Sequence, residues 1–217
     1  MFDFASLKTR QREIRGGFSP GLSLRTHRAL SWLNRAEREP ADDDARFLFL
    51  WIAFNAAYAN DFHDRKSLTE RKMLLGFLNT LIMLDGQRLL YGIVWTEFPN
   101  SIRLLLQNRY VFQPFWDCQA GLLDEIEWRA AFERSRKSAS RALGRTDTSR
   151  VLAEVFDRLY TLRNQIVHGG ATWNSAVNRE QLRDASAILC QLVPTIIHLM
   201  MENHLQVWGD PCYPVVD

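Results

Sequence analysis

Residues 150–170 read RVLAEVFDRLYTLRNQIVHGG. At about 100° per residue, Val151, Leu152, Val155, Phe156, Leu159, Leu162, Ile166 and Val167 fall in one half of a helical wheel, and Asp157, Thr161, Asn164 and His168 fall in the other. The pattern predicts a helix from Ser149 or Arg150 to His168. Gly169-Gly170 supplies the stop that glycine commonly provides just past a last turn. Arg163 breaks the pattern, because it falls among the apolar residues. A guanidinium there must be paired, reach out along its stem, or face a wet interface.

Helical spacing also governs the flanking sequence, and no repeat or strand-like alternation interrupts it. A helix is expected from Leu22 to Arg38, closed by Pro40. Asp42, Asp43 and Asp44 then offer a cap and favourable charge to a helix from about Ala45 to Phe62. Its centre, Phe47 to Phe54, is apolar on every side, as in a helix buried inside a bundle. Ser67 and Glu70 have the spacing of a capping box for a helix from Leu68 to Leu84, and Asp85-Gly86 marks a turn. Residues 87–116, broken at Pro99 and Pro114, are expected to form short helices. Residues 116–143 are mostly helical, and 144–149 form a polar loop. The last long helix is expected from near Asn178 to about Asn203, bent at Pro194, followed by an irregular tail.

Composition narrows the function classes. With 47% hydrophobic residues and 13 Phe and 7 Trp, the chain can bury a substantial aromatic core. Cys118, Cys190 and Cys212 lack metal-ligand spacing, which disfavours a zinc site or disulfides and suggests a reducing compartment. No signal peptide is read at the N-terminus and no apolar run approaches a membrane span, so the expectation is a cytoplasmic protein without a membrane partner. The net charge is only +2, yet residues 8–38 carry eight basic and two acidic side chains, and residues 129–150 carry seven and two. Such stretches are compatible with nucleic-acid contact.

The chemistry-bearing groups sit at the end of the 150–168 helix. The negative end of the helix dipole favours an imidazolium at His168, and imidazole titrates close enough to neutrality to give and take a proton. Asn164, one turn earlier, can orient the ring or hold a phosphate oxygen. Arg163 lies roughly 140° away around the axis, so the bundle or a second subunit would have to bring it into play. Asn55 is the one polar residue in an apolar helix segment, on the side of Leu48 and Trp51. It could hold Arg163 or the cleft wall, or simply bond to backbone in the core. Asp61, His63 and Asp64 read as a solvated turn rather than a metal site. The aromatics Trp95, Phe98, Tyr110, Phe112, Phe115 and Trp116 read as core or interface in preference to a base-stacking surface.

The segment Arg163-Asn164-Gln165-Ile166-Val167-His168 resembles the Arg-polar-x-x-x-His signature of HEPN domains, and Phe47 to Asn55 resembles the second helix of their Apea-like branch. The likeness covers mainly residues 45–62 and 150–205. It implies an all-α, antiparallel helical bundle of HEPN type forming one domain over residues 1–217. The core would be residues 22–85 and 149–205, residues 86–148 would be an insertion of additional short helices, and 206–217 an irregular tail. It also implies a metal-independent endoribonuclease without a cofactor, a homodimer with a composite cleft, acting as a toxin or defence effector. By this resemblance Arg163 and His168 are catalytic, with Asn164 and Asn55 in support. The partners would be an RNA substrate and a cognate antitoxin or defence protein. The alternative is a non-catalytic HEPN dimerisation or interaction module. In related toxins a tyrosine two residues after the histidine is the site of silencing by adenylylation; Gly170 stands there in this chain.

Overall fold

The computed structural model describes residues 2–59, 70–176 and 179–213. Those residues form ten α-helices and no strand. The helices are α1 (Phe4–Ile14), α2 (Pro20–Glu37), α3 (Asp43–Tyr58), α4 (Glu70–Leu84), α5 (Leu89–Gly92), α6 (Pro99–Gln107), α7 (Gln113–Gln119), α8 (Glu125–Gly144), α9 (Thr148–Val167) and α10 (Arg179–Glu202). The chain divides into two compact units, residues 1–90 with 185–217 and residues 91–184. The division places α9 with the intervening helices of 91–148.

In the first unit α2 and α3 pack as a pair. Ser19 caps α2 ahead of Pro20, a residue suited to a first helical turn because it has no N–H to satisfy. Asp42 caps α3, accepting from the Ala45 N–H at 3.0 Å. Phe47, Leu50, Ala53 and Phe54 of α3 are buried, with Leu30 and Leu33 of α2 and Leu192 and Ile196 of α10 also in the core. The expected cap Ser67 and the segment Asp61–Asp64 lie outside the described residues.

α1 was not anticipated. It buries only Leu7 and Gln11, so it carries little apolar periodicity, but a capping box of Asp3 and Ser6 starts it. Arg10 fixes it to α10 by donating to both carboxylate oxygens of Glu202, at 2.7 and 2.9 Å.

α10 corrects the expectation that no segment reaches membrane-span length. It is long and apolar enough by composition, but 72% of its most apolar window is buried inside the protein, as in a core helix.

The second unit is built on α9, which packs against α6 and α8. From Thr148 to Leu162 α9 is buried nearly all round, including Glu154, Arg158 and Thr161. The half expected to be polar is therefore covered until Arg163. Covering it requires the charges to be met. The Ser138 hydroxyl donates to Glu154 Oε1 at 2.9 Å, and Arg158 Nη2 donates to Ser135 Oγ at 2.8 Å. The Arg158 guanidinium also lies 4.6 Å from the centre of the Phe112 ring. This polar joint ties α8 to α9.

Candidate active site

α9 ends one residue before the sequence reading placed it. His168 is the C-cap, and its N–H bonds to the Asn164 carbonyl at 3.0 Å. Gly169 follows at φ +71°, the left-handed conformation that glycine adopts without a Cβ penalty. The Gly170 N–H then reaches the Gln165 carbonyl at 2.7 Å and the Gly169 N–H reaches Ile166 at 3.2 Å. These two bonds form a Schellman motif, which satisfies the last helix carbonyls. Gly170 has a second reason to be glycine. A Cβ there would stand 3.1 Å from the Gln165 carbonyl oxygen.

Asn164 joins the expected pair. Its Oδ1 accepts from Arg163 Nη1 at 3.0 Å, while its main-chain carbonyl holds the His168 N–H. The Arg163 stem therefore carries its guanidinium around to the Asn164 side, which resolves the misfit on the helical wheel. Arg163 and Asn164 are half-buried, and His168 is exposed. Asn55 stands on α3 in the first unit, half-buried, with its carbonyl accepting the Ala59 N–H at 2.8 Å.

A third side chain of the segment is engaged. Gln165 Nε2 donates to the Tyr110 carbonyl at 2.6 Å, and the Trp116 indole N–H donates to the same oxygen at 2.8 Å. The 3-10 turn Arg109–Val111 and the start of α7 are thereby fastened to the end of α9. Sequence reasoning missed this link, because a bond to a main-chain carbonyl 55 residues earlier leaves no periodic trace.

The two basic stretches fare differently. In the first, Arg25 and Arg28 point to main-chain carbonyls of the C-terminal segment, and Arg10 and Arg35 pair with glutamates. Arg12, Arg15 and Arg38 stay exposed, and the charges of Arg12 and Arg15 act together on Lys8. In the second, Arg129 and Arg136 pair with Glu125 and Glu133, while Arg134, Lys137 and Arg141 are exposed at helical spacing along one side of α8. Glu154 and Arg158, four residues apart, could have been found as a helical ion-pair spacing. Their burial depends on Ser135 and Ser138 of a different helix.

Comparisons with protein-family models, with curated proteins and with solved structures return no match for this chain.

Proposed function

We propose that the chain is a HEPN-type, metal-independent endoribonuclease that works as a homodimer, in the role of a toxin or defence effector. The observation that carries the reading is the part played by Asn164. Its side-chain oxygen draws the Arg163 guanidinium to its own side, at the helix end where His168 is exposed, so two groups of complementary chemistry share that end.

In the proposed reaction the 2′-oxygen of a ribose attacks the adjacent phosphorus and the 5′-oxygen of the next nucleotide leaves. The products are a 2′,3′-cyclic phosphate and a 5′-hydroxyl. His168 takes the 2′-proton or returns a proton to the leaving oxygen, work usually worth about 10²–10⁴ in rate. Arg163 neutralises the charge that builds on the phosphorane-like transition state, worth about 10²–10³. Asn164 fixes the guanidinium. The exposed Arg134, Lys137 and Arg141 of α8 supply favourable potential for a polyanion.

The test is cleavage of a mixed RNA pool in EDTA by wild type, Arg163→Ala and His168→Ala, with circular dichroism and sedimentation to verify fold and assembly. The reading requires cleavage by wild type and its loss in both variants. Leu122 and Ile126, 75% and 78% exposed, favour a second reading as a partner-binding module. That reading prevails if wild type cuts no RNA and Leu122→Asp abolishes association with a cognate protein.

A further inference from the structure

We propose that Tyr110 and Trp116, backed by Arg109, form a stacking platform for an unpaired nucleobase beside the phosphate handled by Arg163 and His168. The inference rests on the ribonuclease reading and adds a preference for single-stranded RNA.

Position is the first support. The Tyr110 carbonyl is held by Gln165, three residues before His168. Side chains three apart on a helix are neighbours, with Cβ atoms about 5–6 Å apart. The platform therefore adjoins the motif rather than lying elsewhere on the second unit. Exposure is the second. The aromatic cluster has a buried floor, with Phe112 and Trp128 at 9% and 7% exposure, and an open rim, with Tyr110 and Trp116 at 41% and 37%. Phe115 meets both rim rings edge-on, at 5.5 Å and 5.2 Å between centroids, and so fixes their orientation.

Charge is the third. The exposed Arg109 guanidinium lies 4.9 Å from the Tyr110 ring centre, and its Nη2 donates to the Tyr110 hydroxyl at 2.8 Å. A planar cation against an aromatic rim suits a base attached to phosphate better than an aliphatic surface. Every base has a π-face, so the platform tolerates sequence. A base inside a duplex has both faces covered by its neighbours, so the platform discriminates against paired RNA.

The anchor uses the Tyr110 main chain, so Tyr110→Ala removes the ring and leaves both bonds to its carbonyl. The experiment measures fluorescence anisotropy of a fluorescein-labelled, unstructured RNA of about 12 nucleotides, alone or annealed to its complement, in a His168→Ala background. Stacking is worth about 1–3 kcal/mol per base, so Tyr110→Ala should loosen the single strand by about 5–150-fold and leave the duplex unchanged. Tyr110→Phe should retain binding. Equal losses on both forms, or no loss in Tyr110→Ala and Trp116→Ala, overturn the platform. An abasic scan of the same RNA, which leaves the platform intact, must find one position where removing the base weakens binding. A flat scan also overturns it. Single-strand binding that depends on Tyr110, in a wild type that cleaves nothing, sinks the ribonuclease reading alone. Wild-type cleavage with paired and unpaired sites cut alike, and unchanged by Tyr110→Ala, sinks the platform alone.

Discussion

Replacing Arg25 by methionine should be among the most damaging single changes in the first unit. The side chain has 0% exposure, and burial pushes its guanidinium down to about 10. It donates to the carbonyls of Ala57 and Ala59 at 2.9 Å, where α3 ends, and to those of Gly209 and Asp210 at 3.2 and 2.9 Å in the C-terminal segment. A bond to a charged group is worth about 1.5–3 kcal/mol net. Four such bonds would sum to much of a domain's whole stability, and the sum is too large. The Gly209 and Asp210 carbonyls can regain water when their segment lifts, whereas the Ala57 carbonyl is buried with its donor gone. About two bonds' worth remains, or about 3–5 kcal/mol. With a urea slope of about 2 kcal/mol per molar, the midpoint should fall by about 2 M. Arg28→Met is the control. Its acceptors, the carbonyls of Cys212 and Tyr213 at 2.9 and 2.7 Å, are more open to water, so its cost should stay near 1 kcal/mol. Equal midpoints for the two variants would refute the reasoning from burial.

Further expectations concern the helix end and pH. Gly169→Ala forces a Cβ into φ +71° and should cost about 1–2 kcal/mol, read as a melting temperature lowered by about 2–8 °C; an unchanged melting temperature would contradict the left-handed cap. Glu202 has its pKa lowered first by the hydrogen bonds from Arg10. A carboxylate with a depressed folded pKa contributes stability above its ordinary range and loses it as pH falls through the depressed value. Wild type should therefore exceed Glu202→Gln in urea midpoint near neutral pH, and the gap should close as pH falls below the ordinary glutamate range. A gap that widens on acidification would reverse the assigned sign. Tyr110→Ala should weaken single-stranded RNA alone, as set out above.

What could be read from sequence was whatever repeats along a helix. The α9 boundary emerged to within two residues, because an amphipathic run closed by two glycines carries its own start and stop. α3 emerged from an all-round apolar centre behind an aspartate cap, but its end did not: the sequence pattern ran on to about Phe62, whereas the helix stops at Tyr58 and Ala59 turns extended. α1 did not, since its holds on the protein, Gln11 on Thr26, the Phe4 N–H on Glu37 and Arg10 on Glu202 192 residues away, are polar contacts with no helical period. The same limit applied to Arg25, which reads as surface charge until the C-terminal segment folds over it. At the candidate site the wheel correctly isolated Arg163 as a misfit. It could not show that adjacent Asn164 would turn the guanidinium, because a wheel fixes Cβ directions and not the path of a long side chain.

The most direct test of the central claim is the rate at which wild type and His168→Ala cleave RNA in EDTA at matched concentration and fold. Cleavage by wild type with 2′,3′-cyclic phosphate ends, slowed at least about 100-fold by the substitution, is the predicted result. Equal rates in the two proteins, or a wild type that leaves every RNA intact, would contradict it.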